Sequence, residues 1–208
     1  MIKQYAFYFD SSSCSGCKTC QMACKDKNNL RVGLLWRRVY EVMGGGWERR
    51  GAAWMSSVFA YNVSLACNHC REPICVEVCP TRAMHKRDDG IVLIDPKKCI
   101  GCRNCSLACP YGAPQYDSEI GKMTKCDFCA DNLEQGLPPA CVAACLLRAL
   151  DFGQRAELEA RYGSLENVYP LPEPHLTEPA LTLTPHKDTV RADDGSARVG
   201  NWEEVDTE

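Results

Sequence analysis

The chain has 208 residues, a net charge of −3 from 24 basic and 27 acidic side chains, and sixteen cysteines. That charge gives no electrostatic footing for nucleic acid, and no apolar run approaches the roughly 20 residues that span a bilayer. Cysteine inflates the 45% hydrophobic fraction, so ordinary core formers are scarce and something besides an apolar core must staple the fold.

Ile2 to Asp10 is aromatic-rich and predicts a strand. The N-terminus lacks a charged stretch followed by an apolar one, so no signal peptide is expected. Ser11–Ser13 form a loop, and the first cysteine group follows: Cys14-Ser-Gly-Cys17-Lys-Thr-Cys20-Gln-Met-Ala-Cys24. Arg37 to Val42 alternates as a strand does, Gly44-Gly45-Gly46 forms a turn, and Val58 to Leu65 predicts another strand. The second group is Cys67-Asn-His-Cys70-Arg-Glu-Pro-Ile-Cys75-Val-Glu-Val-Cys79-Pro80. Ala83 to Asp95 reads as a hairpin turning at Asp88-Asp89-Gly90.

The third group, Cys99-Ile-Gly-Cys102-Arg-Asn-Cys105-Ser-Leu-Ala-Cys109-Pro110, has the spacing C-x2-C-x2-C-x3-C-P. Bacterial ferredoxins ligate [4Fe–4S] clusters with this run: three thiolates hold three irons of one cube, and the fourth reaches a neighbouring cluster. A structural zinc knot, the bland alternative, has no use for a fourth thiolate aimed elsewhere. The fourth group is Cys126-Asp-Phe-Cys129, an insertion, then Cys141-Val-Ala-Ala-Cys145.

The groups alternate in type. First and third share C-x-G-C-[K/R]-x-C-x-x-A-C, while the end of the second, through Arg82-Ala83-Met84, echoes the end of the fourth, through Arg148-Ala149-Leu150. This is an internal repeat of two ferredoxin-like modules. Lys25 and Leu146 stand where the other copies have proline. Sixteen cysteines divide into four groups of four, leaving none for a disulfide or a nucleophile, so every cysteine is a candidate ligand. The spacing permits first-with-second and third-with-fourth as readily as an interleaved pairing. After Gly163 a polar segment punctuated by Pro170, Pro172, Pro174, Pro179 and Pro185 follows. It is too poor in apolar residues for a core of its own, and reads either as disorder or as an arm over a partner.

Several closely spaced clusters suggest a wire rather than a reaction site, and no nucleotide-binding or nucleophile-elbow motif argues for substrate chemistry. His69 reads as a histidine behind the ligands or at the surface, and His85, His175 and His186 as non-catalytic. Basic residues recur beside the cysteines: Lys18, Lys25, Arg71, Arg82, Arg103, Lys125 and Arg148. They read either as solvated surface or as charges that offset thiolate-ligated clusters. Arg82 and Arg148 occupy equivalent repeat positions and are the better candidates for the second role.

The order and spacing of the four groups resemble the four-cluster ferredoxin subunits of the molybdopterin oxidoreductase family. The connecting segments narrow the resemblance to the iron–sulfur (B) subunits of anaerobic dimethyl sulfoxide reductases. Those segments are Gln4 to Ser12, Ala83 to Arg87, Cys109-Pro-Tyr-Gly-Ala-Pro-Gln-Tyr116 and Arg148 to Gly153. The resemblance implies an α+β fold of two tandem bacterial-type ferredoxin-like modules with hairpin insertions. Residues 1–163 would hold an outer module (about 1–36 and 120–155) and an inner one (about 58–115), with 164–208 an extended tail contacting partner subunits. It implies four [4Fe–4S] clusters, since Cys102 stands where some relatives carry a tryptophan and a three-iron cluster. Their ligands would be Cys14, Cys17, Cys20 and Cys145; Cys24, Cys126, Cys129 and Cys141; Cys67, Cys70, Cys75 and Cys109; and Cys79, Cys99, Cys102 and Cys105.

It further implies a non-catalytic subunit of a heterotrimer that makes no membrane span itself. Electrons would pass from an integral membrane anchor that oxidises quinol to a molybdopterin catalytic subunit that reduces dimethyl sulfoxide. A selenate, thiosulfate, polysulfide or formate enzyme is the alternative partner. Arg37-Arg38 and Arg49-Arg50 are internal and lack a following apolar run, so neither is a twin-arginine signal. By the same resemblance, the chain would travel with its catalytic subunit to the periplasmic face of the cytoplasmic membrane, the cytoplasmic face being the alternative. A freely diffusing ferredoxin fits the tail and the number of clusters less well.

Overall fold

The aromatic N-terminal run forms β1 (Tyr5–Asp10), whose four inner residues are all buried. Such two-sided burial marks a central strand. The computed structural model describes residues 3–189 and 195–205, so Ile2 of the expected strand, and residues 190–194 and 206–208 of the tail, lie outside the described residues. At Gln4 the backbone N–H goes to the Gln154 side chain (3.1 Å) and not to a ladder carbonyl, while its Nε2 donates to the carbonyls of His69 (3.0 Å) and Gly90 (3.3 Å).

The elements that follow are α1 (Thr19–Lys27), β2 (Arg38–Gly44), β3 (Trp47–Arg50), β4 (Ala53–Ser56), β5 (Phe59–Leu65), α2 (Ile74–Glu77), β6 (Met84–Lys86) and β7 (Val92–Ile94). Next come α3 (Asn104–Ala108), β8 (Gln115–Asp117), β9 (Lys122–Thr124), α4 (Ala130–Glu134), α5 (Ala140–Ala143), β10 (Leu150–Gln154) and α6 (Arg155–Tyr162). The chain ends in a short 3-10 turn (Pro174–Leu176), β11 (Leu181–Thr184), β12 (Arg198–Val199) and α7 (Trp202–Val205). The fold is α+β with small sheets, as expected. β1 is the middle strand of one sheet, between antiparallel β10 and parallel β11. β2 is the middle strand of another, between β12 and β5. The expected hairpin is the β6–β7 pair, with Met84 opposite Ile94. The insertion after the glycine turn is itself a hairpin, β3–β4, exposed along both strands.

The core runs between the two three-stranded sheets, from Phe7 and Phe9 through Val39, Val42, Val63 and Leu65 to Phe128 and Leu150. Phe7 stacks on Phe128 with ring centroids 4.1 Å apart. The described part of segment 164–208 packs on this chain's own sheets, β11 pairing with β1 and β12 with β2. Leu181 and Leu183 are buried beside β1, and Asn201 accepts from the Glu41 N–H (2.8 Å) and donates to the Val39 carbonyl (2.9 Å). Alternating Leu-Thr-Leu-Thr is a strand pattern, and the surrounding prolines mask it in any average over the tail.

Candidate iron–sulfur centres

The repeat is visible in the backbone before any side chain is considered. Gly16 and Gly101 occupy equivalent places and have φ +72° and +70°. Lys18 and Arg103, two residues on, have φ 59° and 63° and open α1 and α3. His69 and Phe128 match in the second and fourth groups at φ 43° and 64°, and so do Arg82 and Arg148 at 52° and 54°. Alternation of this kind turns successive N–H groups inward into an anion-binding concavity. Only glycine adopts such angles without strain, which accounts for C-x-G-C in two of the groups.

The cysteines gather into four sets of four. Cys14, Cys17, Cys20 and Cys145 line one cavity, floored by Phe9, Val39 and Leu150. Cys79, Cys99, Cys102 and Cys105 line a second, with Met84, Ile94 and Met123. Between these lie two further sets. Cys24 faces Cys129 and Cys141, and Cys126 faces Cys24 and Cys141. Cys75 faces Cys67, Cys70 and Cys109.

The sets also follow one another in space. Cys20 of the first adjoins Cys141 of the second, and Cys126 of the second adjoins Cys67 of the third. Helices α2 and α3, which carry Cys75 and Cys105, pack together, so the third set meets the fourth. All four cysteines of the second set are buried, whereas Cys17 in the first and Cys102 in the fourth are exposed. The order is therefore a row with a solvent-facing corner at each end.

The cysteines of the first and fourth sets surround cavities. Among the described residues, which include every cysteine, no three His, Cys, Asp or Glu side chains form a site for one ion. Tetrahedral zinc needs its ligands converging on one point at about 2.3 Å. A [4Fe–4S] cube instead takes each thiolate at a separate corner, which is what four cysteines around a cavity offer. Burial pushes the Cys14, Cys105 and Cys129 thiols up to about 11, and those of Cys24 and Cys70 up to about 12. Thiolate is the ligand form, so a cluster held here would require these thiols to give up their protons.

Polar groups reach the sulfurs directly. The Thr19 hydroxyl donates to Cys17 Sγ at 3.3 Å and lowers its pKa. The N–H groups of Met84, Met123 and Phe128 each donate at 3.4 Å, to Cys79, Cys99 and Cys126. Asn28 Nδ2 lies 3.7 Å from Cys24 Sγ. At Cys79 burial opposes ionisation, but the hydrogen bonds from Met84 and Thr81 outweigh it and the pKa falls. Donors to sulfur favour the more negative state and so raise a cluster's potential.

The buried charges lie elsewhere than the repeat suggests. Arg82 and Arg148 are exposed and sit in matched turns, their N–H groups donating to Cys79 and Cys145 carbonyls at 3.2 Å. The cations inside are Arg37, Arg38 and Lys125. Lys125 donates to the carbonyls of Val92 and Cys126. Arg38 donates to the carbonyls of Tyr111 (2.6 Å), Gly112 (3.1 Å) and Val205 (3.3 Å). Among the described residues none of the three is paired with a carboxylate. His69 is fully buried; its Nδ1 accepts from the Val92 N–H at 3.0 Å. Burial and then Lys125 hold its pKa well below the usual value, so it is neutral. His85 and His175 are exposed, and His186 stacks on Tyr61 at 5.9 Å.

A family model described as a 4Fe-4S dicluster domain matches residues 58–155. The sequence is 49% identical over 205 residues to the B component of anaerobic dimethyl sulfoxide reductase from Escherichia coli (strain K12), covering 99% of this protein and all of the relative. It is 33% identical to the B component of tetrathionate reductase from Salmonella typhimurium, over 97% of this protein and 81% of the relative. To the thiosulfate reductase electron transfer subunit of Salmonella typhi it is 37% identical, over 81% and 86%.

Proposed function

We propose, from the premise that this protein belongs to the family of iron–sulfur (B) subunits of dimethyl sulfoxide reductase complexes, that it holds four [4Fe–4S] clusters as a relay between two partners. As a member of that family it is a non-catalytic electron-transfer subunit of a reductase complex and carries iron–sulfur clusters. In the proposed reading each of the four cysteine sets is one ligand set, so all sixteen cysteines are ligands. Each cluster, when bound, stores and releases one electron with little rearrangement.

The residues of this chain do the rest. The thiolates fix the four positions, the N–H and hydroxyl groups at sulfur adjust each potential, and the aromatic and aliphatic core keeps water from the middle of the row. The observation that carries the reading is the row itself, buried in the middle with Cys17 and Cys102 exposed at opposite ends. A relay needs an entry and an exit, and two exposed corners supply them.

We assign the donor as a quinol-oxidising membrane anchor and the acceptor as a molybdopterin subunit reducing dimethyl sulfoxide, the three chains forming a heterotrimer. Among the described residues no helix is long and apolar enough to cross a membrane, so attachment falls to the anchor. The periplasmic face of the cytoplasmic membrane is the proposed site, with the cytoplasmic face the alternative. Similarity to tetrathionate and thiosulfate subunits supports a second reading, the same relay serving another molybdenum or tungsten partner. Anaerobic membranes reduced with quinol and then given dimethyl sulfoxide separate the two readings. Prompt reoxidation of the cluster signal, lost when this chain is deleted, supports the first. Clusters that stay reduced until a sulfur oxyanion is added support the second.

A further inference from the structure

Among the described residues Arg37 is the largest fully buried side chain, and its sequence context gives no reason for it. It stands just before β2, outside all four cysteine groups. Its Nη1 donates to the hydroxyl (3.1 Å) and carbonyl (3.4 Å) of Ser64. Its guanidinium carbon lies 4.7 Å from the centroid of Phe7. Nε and Nη2 have no partner and no contact with solvent. Guanidinium carries five N–H donors and cannot lose its charge, so at least three donors face something that is not a protein oxygen. Burial opposes the charge, and its ionisable neighbours that favour it are Cys141, Cys20, Cys126 and Cys24; the Ser64 hydroxyl links it to Cys20 Sγ. Cys20 belongs to the first set, and the other three belong to the second.

We infer that Arg37 is a positioning residue whose fixed guanidinium charge, set beside the first two cluster sites with its unpartnered N–H groups toward them, raises their reduction potentials together. An unpaired buried cation destabilises a fold, and an apolar residue of similar volume serves a core at least as well. Retaining the charge here makes sense against an anion, and the groups beside it that can supply one are cysteines, which are anionic as cluster ligands. Reduction adds negative charge to a cluster, so a fixed cation beside it favours the reduced state. Ser64 holds the arrangement from β5, since its hydroxyl lies 3.1 Å from Arg37 Nη1 and 3.4 Å from Cys20 Sγ. The junction of the third and fourth sets is filled differently, by Met84, Val92 and Met123. Lys125 lies near it but donates to the carbonyls of Val92 and Cys126.

The inference rests on the four-cluster reading, and one experiment keeps the two apart. The native complex carrying Arg37→Met is purified anaerobically, its iron is counted, and its clusters are titrated by redox-poised electron paramagnetic resonance. Intact iron content upholds the cluster reading independently of the potentials. The expected result is a shift of two clusters toward the oxidised form by at least about tenfold in the reduction equilibrium, about 59 mV for one electron. These two are the ones whose signals Cys20→Ser and Cys141→Ser alter. The other two move by less than about twofold, about 18 mV on the same scale. Arg37→Lys, which keeps the charge and loses the fork, gives a smaller shift in the same two. If Arg37→Met does not assemble, Arg37→Lys and Ser64→Ala decide the matter. A selective shift upholds the inference, and unchanged potentials overturn it. Equal movement of all four clusters, or of none, with full iron content also overturns it.

Discussion

The two ends of the row are built from one repeat and differ in what surrounds them. The first set shares Arg37 with its neighbour and lies against the large core between two three-stranded sheets. The fourth set lies against a small cluster of Met84, Val92 and Met123, with hairpins β6–β7 and β8–β9 on either side and no buried arginine. The repeat makes the cages, while residues outside it make the cages unequal. Arg37 and Ser64 come from the segment between the first two cysteine groups, which is much longer than its repeat counterpart between the third and fourth. A repeated cysteine pattern therefore meets different buried cations along the row: Arg37 near the first two sets and Lys125 near Cys75 of the third.

The largest expected contrast is between a buried and an exposed ligand. Cys126→Ser removes a thiol 6% exposed at the centre of the row. It is expected to leave little soluble holo-protein, seen as loss of both yield and iron. Cys102→Ser, at the exposed corner of the fourth set, is expected to retain at least about three-quarters of the iron, because the other three cubes are untouched. Similar losses for both variants would mean that the two ends and the middle are not distinct.

The matched glycines test the same contrast through the backbone. A Cβ on Gly101 would sit 2.3 Å from the carbonyl oxygen of Gly121, which cannot retreat, whereas a Cβ on Gly16 would meet the tip of the Asn62 side chain at 2.6 Å. Both alanines bear the left-handed strain of about 1–2 kcal/mol. Gly101→Ala is expected to lose the fourth cluster's signal, and Gly16→Ala to keep the first with a modest fall in melting temperature.

Filling differs from charge in the next case. Met84→Ala opens the apolar junction between the third and fourth sets and is expected to cost about 2–5 kcal/mol of stability in denaturant titration. The potentials should change little. A potential shift as large as that expected for Arg37→Met would erase the distinction between the two junctions.

The smallest effect concerns the turn entering the first cage. Asp10 accepts from the N–H and hydroxyl of both Ser12 and Ser13. Burial raises its pKa, but these bonds outweigh burial and the net shift is downward. A carboxyl depressed on folding contributes stability above its unfolded pKa of about 3.9 and loses it as pH falls through the lower folded value. The melting temperature of the native protein should therefore exceed that of Asp10→Asn by a few degrees at about pH 6, well above that range. The gap should close as the pH drops below about 3.9.

Much of this was legible in the sequence. The cysteine spacings marked the four groups, the alternation of types marked the repeat, and Asp88-Asp89-Gly90 marked a hairpin that is present. Grouping the cysteines across the chain was not legible from spacing, because a C-x3-C pair tells how far its second thiolate reaches but not toward which neighbour. Arg37 and Arg38 were missed because a buried arginine reads as surface in any polarity pattern, and the groups facing Arg37 are sulfurs distant in sequence. Arg82 and Arg148 drew attention by their equivalence, and both sit at the surface in matched left-handed turns. Lys125 could be singled out by its place beside Cys126.

The central claim is that sixteen cysteines make four cages of four, each for one cube. Iron and acid-labile sulfide, counted per chain in protein purified without oxygen, test it most directly. About sixteen of each, four per cube, is the expected result. Half that number, or about four zinc ions without sulfide, would contradict it.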